Sequence, residues 1–250
     1  KKMRKETFNS GTAGEANIQV VLSTHNSEKY LSRCFDSVEK SLRGHKWIFT
    51  LGDDGSSDNT LRIASEYSRR SSADYWNIKK FPKAKNVAQA KNRVLRMAKD
   101  YGKRYPIICF MDSDDEMLAE RISFLLPEYR ARESKFIVGD YIIEHYKGYT
   151  EYINVNEVNV RDHLRFGIWA TLFDESIIPE NSQFFDENLE VYSDFLKWWK
   201  LRHEDDMSFD FLSGRPVHVF HRRKDSISGE TLKENLNKIK EEKDRIYKLV

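Results

Sequence analysis

The stretch "IICFMDSDDEM", residues 107–117, decides the fold. Ile107 to Met111 are apolar without a break, and Asp112, Asp114 and Asp115 follow within four positions. A short, unbroken apolar run reads as a strand covered on both faces, as in the middle of a parallel sheet. Aspartates packed this closely repel one another. Their place at the strand's carboxyl end therefore poses a chemical question.

Working outward, the first half alternates strand and helix. "IQVVLST" (18–24), "KWIFTLG" (46–52) and "YWNIKKF" (75–81) read as strands. Residues 27–42 carry Tyr30, Leu31, Cys34, Phe35, Val38 and Leu42 as a helical stripe after a Ser27 cap. Residues 58–67 form a second helix behind Asp58, and 86–102 a third, with Val87, Ala90, Val94 and Met97 on one face and Gly102 past its end. Strands separated by helices imply right-handed crossovers and a doubly covered, mostly parallel α/β sheet. In such sheets ligands bind beyond the carboxyl ends of the strands. The aspartates lie there.

The second half is less regular. Segments 135–146 and 149–155 predict a hairpin around Lys147 and Gly148. A short helix is expected over 160–167 and an aromatic-rich one over 192–204. "SFDFLS" (208–213) and "RPVHVFHRR" (215–223) read as two strands joined at Gly214, and 230–250 as an amphipathic helix. The expected division is a flexible leader (1–16), a first half (17–118), a second half (119–228) and a C-terminal helix (229–250).

Composition bounds the function. The chain has 250 residues, 33% of them charged, with a net charge of +2, so no global field demands nucleic acid or an anionic membrane. The basic stretches 79–85 and 221–224 lack the paired aromatics of an RNA platform. No run approaches the 18 or so apolar residues of a membrane span. Cys34 and Cys109 form no CxxC, sit in apolar patterns, and suit a reducing compartment such as the cytoplasm.

The "DSDD" cluster admits three chemical readings: a solvated turn or helix cap, a site for a hard cation such as Mg²⁺ or Mn²⁺, or a carboxylate pair for acid/base work. Its surroundings favour a ligand. The second strand runs into Asp53 and Asp54, where Gly55 permits a tight turn, and the first ends in "STHN" (23–26). Three strand ends thus bring hydroxyls, amides and carboxylates to one edge, the geometry of a nucleotide pocket. No GxGxxG follows the first strand, and there is no P-loop.

Four ordered motifs, "VVLSTHNSEKYLSRCFDSVEKS" (20–41), "TLGDDGSSDNT" (50–60), "NVAQAKNRVL" (86–95) and "CFMDSDDEM" (109–117), resemble the nucleotide-binding half of glycosyltransferase family 2, with its GT-A, Rossmann-like fold. The likeness is fullest over 17–118 and weaker to about residue 230. It implies an inverting, non-processive transferase using a nucleotide-sugar donor, UDP favoured, and Mn²⁺ or Mg²⁺. The acceptor would be a glycan, a lipid, a protein or a small molecule. Asp53 and Asp54 would meet uracil and ribose, Thr24, His25 and Asn26 would lie near the base, and Lys91, helped by Arg93, would face phosphate. In the Asp112–Ser113–Asp114 stretch, Asp112 would contact ribose or a metal-bound water, and Asp114 would hold the metal. Asp194 would be the base that activates the acceptor, and His221 a further metal ligand. Arg222, Arg223 and Lys224 would cover the diphosphate, and Trp169 would stack on a sugar, unless they are a solvated charge run and a core residue. The QxxRW motif of processive synthases is absent. Competing expectations are a nucleotidyltransferase, which would show a glycine-rich basic loop after the first strand, and a non-catalytic module that keeps the fold.

Overall fold

The structure, a computed structural model, describes residues 17–132, 135–158, 166–181, 183–189, 197–198, 200–201, 205, 207–224, 241 and 244. The leader, the core of the expected 160–167 helix, residues 192–196 and most of the C-terminal helix lie outside the described residues.

Four parallel strands, β1 (Asn17–Thr24), β2 (Lys46–Asp54), β3 (Tyr75–Phe81) and β4 (Ile107–Asp112), form one half of the sheet in the order β3-β2-β1-β4. The crossovers run through α1 (Leu31–Ser41), α2 (Thr60–Ser68) and α3 (Val87–Lys99). The periodicity built these elements as read. β2 runs two residues past the expected Gly52, through Asp53 and Asp54, which carries both carboxylates inside the ladder. α1 begins at Leu31 rather than after Ser27. The Ser27 carbonyl accepts from the Tyr30 and Leu31 amides, while its hydroxyl reaches Ser113 across 2.7 Å.

Beyond β4 the sheet turns mixed. β8 (Thr171–Asp174) is antiparallel to β4 and to β6 (Phe136–His145), and β6 pairs in parallel with β9 (Asp210–Arg222). The two-residue β5 (Glu116–Met117) closes against β9, and β7 (Thr150–Ile153) makes the expected hairpin with β6. The two strands expected around Gly214 are one. Residues 213–215 bulge from β9 between the pairs Gly139↔Leu212 and Asp140↔Pro216. Buried Asp140 holds the bulge, accepting from the Gly214 amide (2.8 Å) and the Val155 amide (2.8 Å), and Gly214 adopts a φ of 111°.

Side-chain alternation splits the core between the two faces of the sheet. Val21, Ile108, Phe110, Phe136 and Phe173 join α3 and Trp198 on one face. Val20, Leu22, Phe49, Cys109 and Met111 join α1 and α4 (Arg121–Ala131) on the other. Both cysteines are free and buried. The outcome is the α/β, mostly parallel first half and mixed second half that the sequence predicts.

Candidate active site

The carboxyl ends of β1, β2 and β4 meet at one edge. Thr24 and Asp53 are register partners in adjacent parallel strands, and both are buried. Asp53 Oδ2 accepts from the Ser56 amide at 3.1 Å, but Asp53 Oδ1 and Thr24 Oγ1 are buried without a partner. Buried polar atoms normally find hydrogen bonds, so two orphans on neighbouring strand ends make this edge the candidate site for a ligand. Gly55 makes the turn beside them. Its φ is 73°, and a Cβ there would sit 3.0 Å from the Lys83 amide nitrogen.

Neighbouring residues brace this edge. Asn26, at a φ of 48°, accepts from the Ser57 amide (2.9 Å) and donates its own amide to Ser56 Oγ (2.9 Å), tying the β1 loop to the β2 loop. His25 is exposed, with Nε2 3.3 Å from the Asn26 side-chain Nδ2. Asp54 takes the Ala84 amide (2.6 Å), Lys83 Nζ (3.0 Å) and Arg93 Nη1 (3.4 Å). Arg93 Nη1 also donates to the Pro82 carbonyl at 2.6 Å. Asp54 and Arg93 thus bind each other and the segment leading into α3.

At the end of β4, Lys91 from α3 reaches Asp112 Oδ1 across 3.6 Å. Its ammonium is seated over the rings of Phe110 (5.4 Å) and Phe185 (5.9 Å). Asp114 is gripped by Arg223, whose Nε and Nη2 both donate to Oδ2 at 2.8 and 2.7 Å. Ser113 is fixed by its bond to Ser27. Asp115 turns inward. It is fully buried, accepts from the His221 amide at 2.9 Å, and faces His218 Nε2 at 3.0 Å. Burial, with Asp112 and Asp114 beside it, pushes the Asp115 carboxyl well above the usual range, and burial pushes the His218 ring well below its own. Both directions favour the uncharged forms, in which Asp115 would donate to His218. The ring of His218 stacks on Trp169 (4.6 Å), which also stacks on Phe220 (5.3 Å). Trp169 is a buried core residue.

His221 faces Glu116 with Nε2 (2.9 Å) and Glu144 with Nδ1 (2.7 Å), bridging β5, β9 and β6. Among the described residues no group of three His, Cys, Asp or Glu side chains is arranged to hold a metal. What exists is a pair of carboxylates, Asp112 and Asp114, at one turn. As a donor set this fits a hard cation that takes its remaining ligands from diphosphate oxygens and water. Asp194 lies outside the described residues.

Sequence reasoning missed the partners set by long-range pairing. Asp115 pairs with a histidine 103 positions away, and Asp114 with an arginine 109 away. It also missed a carboxamide clamp on α3. Asn92 exchanges two 2.8 Å bonds with the backbone of Phe185 and donates to Glu187 Oε1 at 3.0 Å. An asparagine inside an otherwise apolar helical face, fully buried here, was the available signal.

A parallel sheet with acidic and hydroxyl groups at its carboxyl edge, a buried lysine among them and a mixed second half defines an α/β class whose ligand edge lies at the strand ends. The model of the family described as Glycosyl transferase family 2 matches residues 19–178, more than half of the chain. The chain belongs to that family. It is 25% identical over 194 residues to the teichoic acid poly(glycerol phosphate) polymerase of Staphylococcus epidermidis, a match covering 71% of this chain and 25% of that protein. It is 29% identical over 128 residues to the Escherichia coli UDP-Glc:alpha-D-GlcNAc-diphosphoundecaprenol beta-1,3-glucosyltransferase WfgD, covering 50% of this chain and 46% of that one. The chain therefore spans a quarter to about half of these curated relatives. Its fold is that of S. aureus TarS residues 1–349. The TarS complex with UDP matches with a TM-score of 0.65 at 18% identity, covering 89% of this chain and 64% of that one. The complex with UDP-GlcNAc matches with a TM-score of 0.67 at 18% identity, covering 84% and 60%. No described helix is long and apolar enough to cross a membrane.

Proposed function

We propose that the chain is a metal-dependent, inverting glycosyltransferase that moves a sugar from a nucleotide diphosphate donor, UDP favoured, to an acceptor hydroxyl. The observation that carries this is the pair of orphaned buried oxygens, Thr24 Oγ1 and Asp53 Oδ1, at the strand edge that also presents Asp112, Asp114 and Lys91. The likeness to a glucosyltransferase named for UDP-Glc supports the same donor class.

In this reading Asp53 and Thr24 receive the base, while Asn26, Asp54 and Arg93 hold the loops that shape its seat. His25 lies at the open side of that seat. Asp112 and Ser113 meet ribose or water. Asp114 and Asp112 would hold Mn²⁺ or Mg²⁺, which when bound supplies Lewis-acid neutralisation of the departing diphosphate. Lys91 adds a positive charge between two aromatic faces, where partial exclusion of water strengthens its effect on a developing phosphate charge. The acceptor hydroxyl gives its proton to Asp194 and attacks the anomeric carbon opposite the leaving group, so configuration inverts. His221 braces the neighbouring strands through its two glutamates. Residues 17–118 form the donor half and 119–228 the acceptor half, where a glycan, lipid, protein or small molecule binds. The free, buried cysteines support a reducing compartment, the cytoplasm.

The test is donor turnover without an added acceptor. UDP release from UDP-sugars in Mn²⁺, abolished in Asp114→Asn, is the expected result. Failure to release UDP from any UDP-sugar, with or without acceptor mixtures, would leave a non-catalytic module.

A further inference from the structure

We propose that the outer end of the β6–β7 hairpin, where Tyr149, Glu151 and Arg222 gather, is a subsite for a neutral sugar residue of the acceptor, so that the acceptor is a glycan. The inference rests on the transferase reading above and names the substrate class which that reading leaves open.

Topology brings this end of the hairpin to the donor edge. β6 is antiparallel to β8 and β8 antiparallel to β4, so β6 and its parallel partner β9 end at the same edge as β4. His145 and Arg222 are register partners at that end, and Ile143 is opposite Glu151 on β7. Register partners share a face, as do residues two apart along a strand. Arg222, His145 and Glu151 therefore stand on the face where Ile143 and Tyr141 join the core that includes α3. That is the side of the sheet from which α3 presents Lys91. Arg223, the next residue, bonds Asp114 at 2.7 Å, so the cluster begins one residue from the acidic turn.

The hairpin holds an aromatic ring in place. Gly148, at a φ of 84°, makes the turn and donates its amide to the His145 carbonyl at 2.9 Å. The His145 amide donates to the Tyr149 carbonyl at 2.9 Å, and the Tyr146 amide ties the turn to the Arg222 carbonyl at 3.0 Å. Tyr149 stacks on His145 with centroids 4.0 Å apart and planes 17° from parallel. The imidazole backs one face of the phenol ring, and an exposure of 44% leaves the other side open. A ring already fixed loses little freedom when a ligand stacks on it. The polar groups beside it are uncompensated. Arg222 Nε is buried without a hydrogen-bond partner, and no carboxylate pairs with the guanidinium among the described residues. Glu151 is half exposed, and its Oε1 lies 3.2 Å from His145 Nε2 without completing a hydrogen bond. Arg222 and Glu151 are rooted on the strands either side of β6, about 10 Å apart by strand spacing. Donors on one side, a carboxylate acceptor on the other and an open aromatic face beside them match a pyranose. Its rim hydroxyls both donate and accept, and its C–H face packs on a ring. A phosphate would be repelled by Glu151, and an apolar chain would leave Arg222 unsatisfied.

The experiment is saturation-transfer NMR on the full chain in UDP and Mg²⁺. The probes are the methyl glycosides of glucose, galactose and N-acetylglucosamine, with inorganic phosphate beside them. The proteins are wild type, Tyr149→Phe, Tyr149→Ala, Arg222→Gln and Glu151→Gln. Wild type is expected to bind at least one glycoside. Tyr149→Phe, which keeps the ring, should bind it as wild type does. Tyr149→Ala and Arg222→Gln, which remove the stacking face and the charged donors, should each bind it about tenfold more weakly. Two independent variants, one on β9 and one beside β7, keep the test decisive if either alone fails to fold. Wild-type glycoside affinity in both would place the sugar elsewhere and overturn the inference. Phosphate bound in place of every glycoside, and more tightly in Glu151→Gln, would make the cluster an anion site and overturn it too. UDP binding by a wild type that retains no glycoside would overturn the inference alone. A wild type that binds no UDP would overturn the transferase reading and the acceptor role with it.

Discussion

At the residue scale, the site separates oxygens already engaged from oxygens held ready. Asp54 is engaged by an amide and two cations, whereas Asp53 keeps one buried oxygen without a partner. Asp53→Asn keeps the shape and an acceptor for the Ser56 amide but loses the charge. A hydrogen bond to a charged acceptor contributes about 1.5–3 kcal/mol, so UDP affinity should fall about tenfold or more while the denaturation midpoint barely moves. Calorimetry and a denaturant curve on the same variant check both halves. Asp115 shows the opposite design. Its pKa is raised in the folded protein, so the native state holds a proton that the unfolded chain has lost. Stability from this group is therefore fully present below the ordinary carboxylate pKa and declines as pH rises toward the folded value. Asparagine cannot titrate, can donate to His218, and can accept from the His221 amide. Asp115→Asn should match wild type near pH 4 and gain on it as pH rises, read from denaturation midpoints across pH. A variant less stable at pH 8 than at pH 4, relative to wild type, would mean that Asp115 is buried as an anion. That aspartates end β4 was legible from the break in the apolar run. Which aspartate is buried was not, because the answer lies on β9, more than a hundred residues away.

At the element scale, strong periodicity carried the reading. β1 to β4 and α1 to α3 were legible because each shows one clean period and ends in turn or capping residues. Asn86, for example, caps α3 by accepting from the Gln89 amide. α4 was not legible. Pro127 sits inside it, and its buried face includes Arg121, a charge that masks the stripe. β5 and β8, two and four residues long, are too short to show a period, and they exist because β9, β4 and β6 offer them partners. α3 also does more than cover the sheet. Its Asn92 fastens Phe185, one of the two rings beside Lys91. Asn92→Ala orphans a buried amide and a buried carbonyl, which should cost about 2–4 kcal/mol by chemical denaturation. It should also weaken UDP binding, since Phe185 no longer holds the lysine in place.

At the scale of the whole molecule, one sheet carries a core on each face, and the carboxyl edge of β1, β2 and β4 rests on both. Cys34 and Cys109 sit in the α1-side core, fully buried, and burial raises both thiols above their ordinary range. Neither should react with a thiol reagent in the native state, and their modification rate should follow global unfolding across a denaturant series. Fast labelling of Cys34 without unfolding would mean that the Asp112 turn, to whose carbonyl its sulfur points at 3.6 Å, opens locally. Regular strand–helix alternation stops after β4, where the first half gives way to the second. The mixed order of the second half, with β8 between β4 and β6, depends on pairings that no local pattern encodes.

The central claim is that the carboxyl edge of β1, β2 and β4 is a metal-assisted nucleotide site. Its most direct test is calorimetric titration of UDP and GDP into wild type and Asp114→Ala, in Mn²⁺ and in chelator. At such a site UDP binds in preference to GDP, chelation weakens it strongly, and Asp114→Ala behaves like chelated wild type. Absence of binding, or binding indifferent to both metal and substitution, would contradict it and leave the aspartates as turn residues.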